Sequence, residues 1–146
     1  MSEVSESIVI SAPVEKVFGV VTTPENWTKY VTSLTEVSNM SENIPQKGST
    51  FVWEYKMMGV KFRGKGTVTE NDQNKAFCLS MEGKFPIKET YDFSQEGNGT
   101  TRLAVKIQYD IPGELLGMIA DKLLLEKLNV SESKNVLEKI RMLCEA

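Results

Sequence analysis

Glu89 is the residue whose setting in the sequence points to chemistry. Ile87, Tyr91 and Phe93 share its parity, while Lys88, Thr90 and Asp92 occupy the alternate one. On a strand, that alternation puts Glu89 on the apolar face. A carboxylate facing a hydrophobic hollow has a raised pKa and can act as an acid or base, or hydrogen-bond a ligand. The opposing reading is a solvated carboxylate at a strand end, or one paired with Lys88 or Arg63. Tyr55, Tyr91 and Tyr109 are candidates to support proton transfer or stabilise an enol. Glu6 stands in a similar position among Val4, Ile8 and Ile10.

Other chemistries are excluded by composition. The chain has no histidine, so it cannot build a Ser-His-Asp triad, a His-ligated zinc site or an imidazole acid–base pair. Cys78 and Cys144 are far apart in sequence and form no metal-like pair. They read as reduced thiols of a cytoplasmic protein. Gly59, Gly64 and Gly66 fall in strands rather than at a strand-to-helix turn, so they make no nucleotide loop. No metal and no cofactor is expected. With a net charge of -3 and no basic run, neither nucleic acid nor an anionic membrane surface is an expected partner. The acidic start MSEVSESIVI lacks a signal-peptide pattern. No apolar run approaches a membrane span, so no stable membrane insertion is expected.

The elements that must position these residues are marked by their periods. Val4 to Ile10 reads as a strand. Pro13 then opens a helix bearing Val14, Val17, Phe18 and Val21 on one face, with Glu15 favouring its positive end. Thr23 as cap, Pro24 and Glu25 start a second short helix presenting Trp27, Tyr30 and Val31. From Leu34 to Asp110 the period is two, with turns at Gly59, Asn71–Asn74, Gly83–Pro86 and Asn98-Gly99. From Glu114 to Cys144 the pattern is helical, and Ser131 and Ser133 are places where that helix could kink. The expected order is β-α-α-β-β-β-β-β-β-α. With 146 residues, the chain is expected to be a single domain over 1–146.

That order, together with Ala12-Pro13-Val14-Glu15-Lys16-Val17-Phe18 after an apolar strand and Pro24 to Trp27 behind it, resembles the START-like helix-grip superfamily. Its members include polyketide cyclase/dehydrase-like and lipid-transport proteins. The resemblance covers essentially the whole chain. It implies an α+β fold in which a curved, antiparallel seven-stranded sheet wraps a long C-terminal helix, with ligands held between the two.

On this reading the inward face carries Trp53, Tyr55, Phe62, Phe77, Leu79, Met81, Tyr91 and Tyr109, opposite Met118, Ile119 and Leu123 of the helix. These are the candidate ligand-binding residues, and the same side chains would serve as core if no ligand were held. Gly64 and Gly66 share the parity of Phe62 and Val68. Their missing bulk is either room for a ligand or the mark of a bulge or bend. The stretch Leu115–Leu128 is apolar nearly all round and needs more cover than one sheet face provides. The chain's own loops, a ligand, a homodimer contact or a protein partner would supply it. The leading function is binding or carriage of a small hydrophobic molecule, a lipid, polyketide or aromatic metabolite, without turnover. The alternatives are an accessory interaction module, of the chaperone-activator or metalloenzyme-assembly kind, and a cyclase or dehydratase using Glu89.

Overall fold

The computed structural model describes residues 2–57, 59–110 and 122–146; the side chains of 122–125 lie outside that description. Seven strands alternate inward and outward side chains as the sequence predicts. They are β1 (Ser2–Ile10), β2 (Leu34–Ser38), β3 (Thr50–Met57), β4 (Val60–Asp72), β5 (Ala76–Met81), β6 (Ile87–Gly97) and β7 (Thr100–Tyr109). They form one antiparallel sheet in the order β1-β7-β6-β5-β4-β3-β2. Each neighbour from β2 to β7 is also the next in sequence, a meander that short turns can build. Gly59, Asn74 and Gly99 adopt positive φ at three of those turns, the conformation that favours Gly and Asn there.

Two short helices, α1 (Val14–Thr22) and α2 (Pro24–Tyr30), connect β1 to β2. Pro24 takes the first position of α2 as predicted. Thr23 does not cap α2 through its side chain; its hydroxyl donates to the Gly19 carbonyl and closes α1 instead. The next turn is held differently. Trp27 Nε1 and the Tyr30 hydroxyl both donate to the Val21 carbonyl, at 3.0 and 2.8 Å, which pins α2 against α1.

The C-terminal helix α3 (Lys122–Glu145) packs on β1, β7, α1 and α2. It runs unbroken through Ser131 and Ser133, and the Ser133 hydroxyl donates to the Asn129 carbonyl one turn back. Its far end is tied down where Ser11 N–H donates to Glu145. Among the described side chains of α3, burial falls on Asn129, Ser133, Val136, Leu137, Ile140 and Cys144, one helical stripe with polar residues at Asn129 and Ser133. Both cysteines are free thiols, and burial pushes Cys144 up to about 11, which keeps it protonated at neutral pH.

The glycines of β4 decide between the two readings that their sequence positions allowed. Gly64 and Gly66 provide no room for a ligand. They pair across the ladder with Trp53 and Phe51, and those rings occupy the space. A Cβ on Gly66 would stand 2.2 Å from the Phe51 ring, and one on Gly64 only 1.8 Å from the Glu82 carbonyl oxygen. The missing side chains let two large aromatics lie against the backbone, the arrangement by which cross-strand aromatics cover glycines in curved sheets.

Candidate functional site

Glu89 points into the protein, on the concave side of β6, and is only 5% exposed. The register explains why. It pairs with Leu79 on β5 and Ile107 on β7, both inward, so its face is set by two neighbours. The Tyr91 hydroxyl donates to it at 3.1 Å. Loss of solvent raises the Glu89 carboxyl to about 7; the Tyr91 hydrogen bond opposes that shift and the nearby Glu132 adds to it. The phenols of Tyr30, Tyr55 and Tyr91 are held well above their usual value, first by burial and then by the charge of Glu89 or Glu132. All three therefore remain O–H donors across the physiological range.

Two small spaces adjoin Glu89. One, about 20 Å³, lies between the sheet and α3, bordered by Tyr55, Phe85, Glu89, Tyr109, Asn129 and Glu132 among others. The second, about 10 Å³, is almost wholly apolar and is bordered by Trp27, Leu34, Phe51, Leu79 and Met81. Val31, Tyr55 and Glu89 border both, so they partition one interior region. Each space has roughly the volume needed to seat a single oxygen-sized group. A larger ligand must part the side chains around them.

The larger space has an unusual polar rim. Four buried side-chain polar atoms among the described residues lack a hydrogen-bond partner, and three of them belong to this rim: Tyr109 Oη, Asn129 Nδ2 and Glu132 Oε1. The fourth, Trp53 Nε1, lies elsewhere in the core. Buried polar atoms are nearly always paired, so three orphans around one space mark a place for a hydrogen-bonding group, either an ordered water or the polar end of a ligand. The other oxygen of Glu132 accepts from the Tyr55 hydroxyl at 2.8 Å. Glu132 also borders an open surface groove of about 430 Å³ with Ser33, Lys56, Met57, Leu128 and Asn135. The Tyr55–Glu132 hydrogen bond thus stands between that groove and the interior.

Of the residues singled out from the sequence, Glu89, Tyr55, Leu79, Met81 and Tyr109 come together around the two spaces. Tyr91 reaches the site through its bond to Glu89. Trp53, Phe62 and Phe77 are buried but border neither space. Met118, Ile119 and the side chain of Leu123 lie outside the described residues, as does most of the Leu115–Leu128 stretch. Glu6 is half-buried and borders an open groove on another part of the sheet. Strand parity does not reach Asn129, Glu132 and Ser133, although with Val136 they follow helical spacing onto one face. It does not reach Phe85 either. That ring sits in the β5–β6 connection, stacks on Tyr55 at 5.8 Å and lies 6.3 Å from Tyr109.

What this arrangement can do is bind and protonate. It offers an apolar recess, a ring of donors and acceptors, and a carboxyl able to hold or release a proton near neutrality. Among the described residues no group of His, Cys, Asp and Glu could hold a metal ion. No helix there is long and apolar enough to cross a membrane.

Comparison with solved structures places the fold among known ones. A protein of Thermus thermophilus superposes with a TM-score of 0.77 at 24% identity, covering 97% of this chain and 95% of its own. A START superfamily protein from Mycobacterium smegmatis gives 0.75 at 12% identity, with 98% and 97% covered. The Zhui aromatase/cyclase of Streptomyces sp. R1128 gives 0.75 at 11% identity, with 99% and 93% covered. At these identities the likeness is one of fold. No curated protein matches the sequence. The family described as polyketide cyclase / dehydrase and lipid transport matches residues 1–145, and with a seven-stranded sheet, a C-terminal helix and an interior site between them, the chain belongs to that family.

Proposed function

We propose that the chain binds a small, largely hydrophobic molecule between the sheet and α3, with the polar end of the molecule seated at the rim formed by Tyr109, Asn129 and Glu132. The observation that carries this is the set of three unpartnered polar atoms at the edge of an otherwise apolar interior. Buried polar atoms are paired with protein, ordered water or a ligand, and three that converge on one recess suit the polar end of a bound molecule, which would take the place of a water there. Family membership supports a hydrophobic ligand. The ligand enters by parting side chains, with the Tyr55–Glu132 contact as the natural point of opening.

The test is saturable, one-to-one binding of Nile red, a neutral hydrophobic dye, checked by native mass spectrometry of the complex. Val136 is buried at the rim of the larger space, so Val136→Phe should fill it and weaken dye binding at least about tenfold. Absence of saturable binding in the wild type, or equal binding by the variant, removes this reading.

A second reading, proton transfer to or from a bound carbonyl compound, is favoured by one observation. Glu89 has its carboxyl near 7 and receives a phenolic hydrogen bond, the poise expected of a general acid or base. The aromatase/cyclase among the structural relatives is consistent with such chemistry. Hydrogen–deuterium exchange at the acidic carbon of a β-dicarbonyl compound separates this from carriage. Exchange catalysed by the wild type and lost in Glu89→Gln supports it, and no catalysed exchange removes it.

A further inference from the structure

We propose that the space bordered by Tyr109, Asn129 and Glu132 is a hydroxyl-recognition subsite, and that the ligand is a neutral alcohol or phenol rather than a carboxylic acid, an ether or an amine. This rests on the ligand-binding reading above and adds the chemistry of the polar end.

The argument is one of matching donors to acceptors. Tyr55 has committed its proton to one oxygen of Glu132, leaving Oε1 as an acceptor that needs a donor. Asn129 Nδ2 can only donate, and the Tyr109 hydroxyl can donate or accept. Asn129 is 9% exposed and Tyr109 1%, so neither has ready recourse to solvent. A hydroxyl group has one proton and two lone pairs. Its proton satisfies Glu132 Oε1, and its lone pairs accept from Asn129 and Tyr109. In number and kind one such oxygen matches all three, and a space of about 20 Å³ admits one oxygen, that of a water in the free protein and of the ligand hydroxyl that replaces it in the complex.

Other polar ends fail on a specific atom. An ether oxygen accepts from Asn129 and Tyr109 but brings no proton, so Glu132 Oε1 is met only if Tyr109 turns its hydroxyl there and gives up the ether, one hydrogen bond fewer than a hydroxyl makes. A carboxylate has no proton for Glu132 and brings a negative charge beside Glu132 and Glu89; among the described residues no Lys or Arg borders either space. An ammonium group would suit the carboxylates but has no lone pair for Asn129. The apolar body of the ligand is directed across Val31, Tyr55 and Glu89 toward Trp27, Leu34, Phe51 and Met81, the neighbouring apolar space. Met81 and Leu79 are side chains that can repack around it.

The experiment is displacement of bound Nile red from the full chain at pH 7.5 by matched sets. One set is 1-dodecanol, dodecyl methyl ether, dodecanoate and dodecylamine; the other is 2-naphthol, 2-methoxynaphthalene, 2-naphthoate and 2-naphthylmethylamine. In at least one set the alcohol or phenol is expected to compete about tenfold or more better than its three relatives. Glu132→Gln keeps size, removes charge and can turn an amide N–H toward the ligand. It should narrow the gap between the alcohol and both the ether and the carboxylate. Asn129→Leu should weaken the alcohol and the ether alike and leave the amine unchanged. Equal displacement by all four members of both sets, or tighter binding of the acid or the amine, overturns the hydroxyl assignment while leaving ligand binding intact. Failure of Nile red itself to bind removes the parent reading and this one together.

Discussion

Replacing Glu89 by Gln raises the melting temperature at pH 8 by several degrees, and the gain disappears by pH 4. The sign follows from linkage. The carboxyl titrates near 7 in the folded chain, against an ordinary value of 4.5. Below 4.5 it is protonated in both states and costs nothing. Between 4.5 and 7 the unfolded chain releases its proton and the folded chain keeps it, so stability falls as pH rises. Above 7 the loss is complete, on the order of 3 kcal/mol for the shift involved. Glutamine fills the same volume, accepts from Tyr91 and carries no charge, so it escapes the whole pH-dependent term. Thermal unfolding of both proteins from pH 4 to pH 8 checks this. A gain of equal size at every pH would trace the effect to packing rather than to ionisation.

Gly64→Ala destabilises the fold by about 3 kcal/mol or more, and Gly97→Ala in the same sheet changes little. Both glycines lie in strands and neither has a positive φ, so backbone freedom does not separate them. Space does. The added methyl at Gly64 would lie 1.8 Å from the Glu82 carbonyl oxygen and 2.9 Å from the Trp53 ring. A backbone carbonyl and a fully buried indole cannot both retreat without displacing β4 from its neighbours. At Gly97 the same methyl meets nothing within 4 Å, and loss of unfolded-state freedom tends to stabilise. Urea denaturation of the pair is the comparison. Similar midpoints for both variants would show that Trp53 and Glu82 yield more easily than their burial implies.

The inward placement of Glu89 is legible from its neighbours alone. Ile87, Tyr91 and Phe93 are too regular to sit on any face but the core, and Glu89 shares it. The same logic finds Tyr55, Leu79, Met81 and Tyr109. It fails for Phe85, which lies in the short connection between β5 and β6, where no period can be read. It fails differently for Asn129, Glu132 and Ser133. Polar residues on a helix are ordinarily taken to face water, and a stripe drawn through Val136 and Ile140 stops short of them. Continued backward at helical spacing, the stripe reaches Glu132 and Ser133, and a further turn reaches Asn129.

Which side chains face inward, and the order in which strands and helices succeed one another, are written into the chain locally. Periods of two and of about 3.6 can be read without knowing what packs against what. Whether inward space is filled or free is not local. Gly64 and Gly66 suggest a hollow, yet the rings that occupy it come from β3 across the ladder. Glu89 suggests a lone buried carboxyl, and only the docking of α3 brings Glu132 and Asn129 to the space that Glu89 and Tyr109 border from the sheet. Residues far apart in sequence meet there because the sheet curves toward the helix, and their unpaired donors and acceptors border one space only once that closure has occurred.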